Sequence, residues 1–77
     1  MSDTGQRHVV EIKVRVARAD IAFVKFIFES YEGIAVVRTL DRHAADLVVL
    51  AAPDFAADAH AILESLRPQV PWTLLPA

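Results

Sequence analysis

The chain has 77 residues and a net charge of −2, with 8 basic and 10 acidic residues spread along it. This length allows one domain, and this charge balance excludes a strongly basic surface of the kind that binds nucleic acid. The absence of cysteine excludes disulfides, thiolate metal sites and thiol nucleophiles. No apolar run approaches a membrane span, and the polar start Met1–Gln6 lacks the apolar core of a signal peptide, so we expect a cytoplasmic protein without membrane contact.

The first predicted element is a strand that follows a disordered start. We expect residues 1–7 to be disordered and residues 8–76 to form the domain. From His8 onward, β-branched residues alternate with charged ones, which is typical of a strand with one buried face. The apolar phase holds Val10, Ile12, Val14 and Val16, and the polar phase holds Glu11, Lys13 and Arg15.

A first helix follows, with Asp20 as its predicted N-cap and Gly33 as its C′ residue. Phe26 projects on the polar side of this helix, away from the expected core. The predicted inner stripe comprises Ile21, Phe23, Val24, Ile27, Phe28 and Tyr31.

Two strands should come next, joined by a polar connection of hairpin length. Ile34–Leu40 is rich in β-branched residues, and residues 41–44 form the connection. Leu47–Ala51 is continuously apolar, which indicates a strand buried on both faces. Periodicity alone leaves a buried helix segment open, and the short length and the following proline favour a strand.

A second helix should begin at Pro53 and Asp54 and stop at Pro68. Val70–Leu75 is the last predicted strand, and Pro71 and Pro76 assign it to a sheet edge because proline lacks a ladder donor. The inner stripe of the helix should hold Phe55, Ala59, Ile62, Leu63 and Leu66.

These elements predict an α+β fold of the ferredoxin-like βαββαβ type. Right-handed crossovers place both helices on one face of a four-stranded antiparallel sheet. The first and third strands are then central, and the second and fourth are edges.

Most chemistries known for this layout lack their residues here. A base-stacking module needs aromatic residues on the two central strands, which this chain does not have. A phosphate-cradling loop needs several glycines, and the chain has two. His8, His43 and His60 show no i, i+4 pairing, and no acid–base or nucleophilic cluster is evident, so we expect no metal, no cofactor and no enzyme activity.

The expected partner is a second copy of the chain. Hydrophobic residues make up 55% of the sequence, and the mean hydropathy is +0.35, so apolar surface should remain after folding. We expect a homodimer formed sheet to sheet or edge to edge. The interface candidates are Phe26, Val48, Leu50 and Trp72, with core packing as the default alternative for Trp72.

Several segments resemble a family of short bacterial proteins known only as a domain of unknown function. The residues that carry the resemblance are Asp20–Ala22, Lys25–Ile27, Glu29, Tyr31–Gly33 and Val37–Asp41. The layout is also loosely similar to ACT-type regulatory domains, which pair through their sheets and bind small effectors. That resemblance implies a small-molecule effector, although the first loop lacks the glycine usual in such domains.

The sequence thus predicts a non-catalytic module that self-associates and serves regulation or small-ligand binding. A ligand would lie near Arg18, Asp20 and Gly33. For Arg18 with Asp20, a plain helix cap is the simpler alternative to anion binding. The alternative function is weak binding of nucleic acid or an acidic partner through Lys13, Arg15 and Arg38, with nucleic acid disfavoured by the overall charge.

Overall fold

The computed structural model describes residues 9–76, so the predicted disordered start at residues 1–7 and His8 lie outside the described residues. Short 3₁₀ turns, Arg18–Asp20 and Pro53–Phe55, lead into the two helices. The elements follow the predicted order: β1 (Val10–Arg15), α1 (Ile21–Glu29), β2 (Ala35–Asp41), β3 (Asp46–Ala51), α2 (Ala56–Leu66) and β4 (Thr73–Leu74).

The four strands form one antiparallel sheet in the order β2-β3-β1-β4. This order confirms the ferredoxin-like plait, with β1 and β3 in the centre and β2 and β4 at the edges. The prolines of the last segment lie beside an edge strand, where their missing N–H groups break no central ladder.

The core lies between one face of the sheet and both helices. Ile12, Val14 and Val16 are buried on this face, while Glu11 and Arg15 of the other phase are exposed, so the predicted alternation of β1 is confirmed. The same apolar cluster contains residues of β3, α1 and α2, namely Leu47, Val49, Ala51, Val24, Phe28, Ala59, Ile62, Leu63 and Leu66.

The apolar run 47–51 is a strand and not a helix, and it is buried on both faces as predicted. Val48 belongs to the face without helices, yet it is only 5% exposed. Its cross-strand neighbours are Lys13 on β1 and Arg38 on β2. Long aliphatic stems commonly cover apolar surface while their charged ends stay in water, which accounts for the burial of Val48.

The ends of α1 differ from the prediction. Asp20 has helical backbone angles inside the 3₁₀ turn, and its carboxylate caps no N–H group. The helical segment begins earlier, after Ala17, which has extended backbone angles, because the N–H of Asp20 already donates to the Ala17 carbonyl. The helix ends at Glu29, and Gly33 (φ +82°) is the third residue of a turn in which the Ile34 N–H donates to the Tyr31 carbonyl.

Three aromatic residues assigned to inner stripes are partly exposed. Phe23 lies in the first turn of α1 and is 37% exposed, and Tyr31 lies beyond the end of the helix, so only Val24 and Phe28 of that stripe are fully buried. Phe55 belongs to the 3₁₀ turn before α2, which rotates it away from the buried stripe that starts at Ala59. A 3₁₀ turn shifts the angular position of every residue before it, and periodicity at 100° per residue cannot show this.

The last strand is shorter than predicted. Only Thr73–Leu74 pair with β1, and the Leu75 N–H donates to the Lys13 carbonyl. Val70 and Trp72 are buried, but they belong to the segment that turns from α2 toward the sheet.

Candidate functional site

The sheet face without helices carries a row of charges beside the apolar residues of β3. In this face Glu11 lies opposite Leu50, Lys13 opposite Val48 and Arg15 opposite Asp46. The guanidinium of Arg15 donates two hydrogen bonds to the Asp46 carboxylate, at 2.7 and 3.1 Å. These bonds lower the pKa of Asp46 and raise that of Arg15.

The basic residues suggested for an acidic partner are largely neutralised. Arg15 is paired with Asp46, and the Lys13 ammonium lies 3.8 Å from the Glu11 carboxylate. In the described part of the chain, Arg38 alone of the three has no ion pair. One free cation on this face is a weak basis for binding a polyanion, whose affinity grows with the number of phosphates contacted.

Of the four interface candidates, the two that lie in the sheet expose little surface. Val48 is covered by its neighbours, and Leu50 is half-buried. Exposed apolar side chains of the sheet lie instead at its edges, with Val36 (56%) and Leu40 (51%) on β2 and Leu74 (59%) on the two-residue β4. The sequence contained this signal, because Val36 and Arg38 share the phase of β2 that points away from the helices.

Trp72 lies in the protein's own core, as its packing alternative predicted. It is 3% exposed, and its indole Nε1–H donates to the Leu63 carbonyl at 2.7 Å. The Arg67 guanidinium stacks 3.8 Å from the centre of the Trp72 ring and donates to the Trp72 carbonyl at 3.0 Å. Trp72 therefore offers no free surface to a partner.

Phe26 projects from α1 into solvent, as the helical pattern predicted, with 63% of its surface exposed. Between α1 and the β2 edge runs a groove of about 120 Å³. Lys25 and Glu29 line its helix side, and Ala35, Val36 and Val37 line its strand side.

The three residues suggested for ligand binding are not brought together. Arg18 and Asp20 belong to the 3₁₀ turn before α1, whereas Gly33 lies beyond the other end of that helix. A helix of 9 residues is about 13.5 Å long, which separates the two positions.

Arg18 instead contributes to a groove of about 430 Å³ with residues that the sequence did not single out for ligand binding. Its lining residues are Arg18, Ile21, Ala22, Lys25 and Arg42. Arg42 comes from the β2–β3 hairpin, so only the folded sheet places it beside α1. The sequence carries no local signal for this pairing, because Arg18 and Arg42 are far apart along the chain.

A third groove, of about 370 Å³, follows β1 where the short β4 ends. Its side chains include Glu11 and Lys13, which pair with each other, and His60 of α2. Across residues 9–76, no three His, Cys, Asp or Glu side chains are grouped so that they could hold a metal ion. Neither helix of this range has the length and apolarity needed to cross a membrane.

Comparison with known proteins gives a family but no activity. No curated protein and no solved structure matches the chain. A family model described as Domain of unknown function (DUF4911) matches residues 14–70, which run from the end of β1 to the segment after α2. The match covers well over half of the chain and agrees with the resemblance seen in the sequence, and the chain belongs to the DUF4911 family.

Proposed function

We propose that this chain is a non-catalytic regulatory module that works as a homodimer, joined edge to edge through β2. The observation that carries the proposal is an open edge strand with exposed apolar side chains. β2 has seven residues, contains no proline or glycine, and pairs on one side only. Such an edge presents unpaired N–H and C=O groups to another strand, and natural proteins usually shield it.

The regular part of β2 fits a two-fold axis. A bulge interrupts the pairing with β3 between Thr39 and Asp41, so the regular stretch is 35–39, centred on Val37. With Val37 on an axis perpendicular to the sheet, Val36 lies opposite Arg38 of the other copy. An axis at Arg38 would instead oppose two arginines, which destabilises a strand pair. The Val37 register is therefore the one we propose.

The helix beside this edge carries charges of opposite sign that can pair between the two copies. Lys25 and Glu29 both line the groove between α1 and β2. The two-fold axis makes the two α1 helices antiparallel, which brings Lys25 of one copy toward Glu29 of the other. Phe26 lies one turn before Glu29, with most of its surface exposed, and we assign it to the same interface.

The apolar contribution of Val36 to the dimer is modest, so most of the stability must come from the paired strands. Full burial of a Val or Leu side chain is worth roughly 1.5–3 kcal/mol, and the exposed half of Val36 gives about half of that. Symmetry doubles every contribution. Backbone hydrogen bonds between the two β2 strands and the pairing of α1 charges add specificity of register.

The test compares substitutions that differ only in charge. Val36→Lys places a cation opposite Arg38 of the other copy and should dissociate the dimer, whereas Val36→Glu places a carboxylate there and should retain it. Leu74→Lys is the matched control, since Leu74 is 59% exposed on the opposite edge strand. Mass in solution is measured by light scattering and analytical ultracentrifugation over a concentration series.

Each outcome decides the proposal. A wild-type chain that stays monomeric at high concentration refutes it. A Val36→Lys variant that dimerises like the wild type, or a Leu74→Lys variant that does not dimerise, places the interface elsewhere. Loss of the dimer in both Val36→Lys and Val36→Glu would reject the Val37 register while leaving the β2 edge in place.

A further inference from the structure

The groove between the start of α1 and the β2–β3 hairpin concentrates positive charge. Three of its five lining side chains are the cations Arg18, Lys25 and Arg42. The other two, Ile21 and Ala22, form an apolar wall from the first turn of α1. The chain as a whole carries a net charge of −2, so this groove runs against the overall balance.

The three cations keep their charge available. Over residues 9–76, the ion pairs join Lys13 to Glu11, Arg15 to Asp46 and Arg67 to Glu64, and none involves the groove. No carboxylate of this range lines the groove; Asp20 and Asp41 are its neighbours in the chain, and one oxygen of Asp41 accepts from the Ala44 N–H. Like charges that converge without acidic partners repel each other, and a bound anion relieves that repulsion.

The chemistry of the lining selects the kind of anion. Two guanidinium groups offer planar pairs of donors that match phosphate oxygens, and an ammonium adds a compact third charge. The volume of about 430 Å³ lies in the range of small-molecule sites and exceeds what a bare phosphate fills. Ile21 and Ala22 can then contact an apolar part of the ligand.

We propose that this groove binds a small organic phosphate, with Arg18, Lys25 and Arg42 holding the phosphate group. All five lining residues belong to one protomer, so the site does not require the proposed dimer; Lys25 is the one residue that both share, since it also faces Glu29 of the other copy in that dimer. A monomeric Val36→Lys variant should still bind, and this makes failure of the site distinguishable from failure of the dimer.

The test uses pyrophosphate and inorganic phosphate as probes of the full chain. Titration is followed through the backbone amide resonances of the protein and by calorimetry at low and high salt. We expect pyrophosphate to bind more tightly than phosphate and to shift the amide resonances of residues 18–25 and 42–44. The affinity for pyrophosphate should fall as the salt concentration rises.

Arg18→Gln and Arg42→Gln should each reduce pyrophosphate affinity by roughly tenfold or more, because each removes a charge-assisted hydrogen bond. Lys13→Gln makes the same change of charge on the sheet face and should leave affinity within about twofold. Both arginines are exposed, so folding should be unaffected, and circular dichroism checks this.

Three results would overturn the inference. These are no pyrophosphate binding at millimolar concentration, amide shifts located elsewhere on the molecule, and equal loss of affinity in Lys13→Gln and the two groove variants. The last result would mean that the anion responds to the overall charge and not to this groove.

Discussion

Trp72 joins the end of α2 to the sheet, and its replacement by phenylalanine tests this role. At the end of the helix the Arg67 N–H bonds to the Glu64 carbonyl and not to that of Leu63. The Leu63 carbonyl thereby loses its usual donor four residues on, and the Trp72 indole N–H supplies the missing bond at 2.7 Å. Trp72→Phe keeps an aromatic ring in place and removes this donor.

The expected loss follows from two contributions. A buried carbonyl left without a donor costs about 1–3 kcal/mol. The smaller ring buries less apolar surface, which costs about 1 kcal/mol more. The free energy of unfolding should therefore fall by about 2–4 kcal/mol, and for a domain of this size Tm should fall by at least about 8 °C.

The measurement is thermal and urea unfolding followed by circular dichroism, since the variant lacks the only tryptophan of the chain. Phe55→Leu, a change at an exposed aromatic residue outside the proposed interface, is the control and should stay within about 0.5 kcal/mol. An unchanged Tm in Trp72→Phe, together with weaker self-association, would contradict this reasoning. Trp72 would then act at an interface and not within the core.

Three further variants test other parts of the fold. Gly33→Ala should cost about 1 kcal/mol in unfolding experiments, because φ is +82° and an added Cβ meets nothing within 4 Å, so only backbone strain acts; Gly33→Asn should cost less. Phe28→Ala should cost about 3–5 kcal/mol in urea unfolding, since the ring is fully buried, and a loss below 1 kcal/mol would contradict this. Asp46→Asn should be less stable than the wild type at neutral pH, because the wild-type Asp46 pKa is lowered by the hydrogen bonds from Arg15. The stability advantage of the wild type is present above the unfolded pKa of about 3.9 and is lost as the pH falls through the lower folded pKa. Unfolding experiments at several pH values should therefore show the free energies of unfolding of the wild type and Asp46→Asn converging in acid.

The candidate sites show where residue patterns stop being informative. Phe26 could be placed on the outside of α1 because its position relative to the apolar stripe is a local property. The pattern predicted that Val48 is buried but not what covers it, since the cover comes from Lys13 and Arg38 on the two neighbouring strands. Arg42 joins Arg18 only through the folding of the hairpin against α1.

The sequence by itself determined the order of the elements, the core phase of β1, the strand at 47–51 and the edge position of the last strand. Each of these follows from periodicity or backbone chemistry within a few residues of the chain. Only the tertiary structure decided which side chains of the open sheet face are covered, which carbonyl Trp72 caps and which cations share a groove. These depend on strand register and on helix ends, where one residue of shift moves a side chain to the other face.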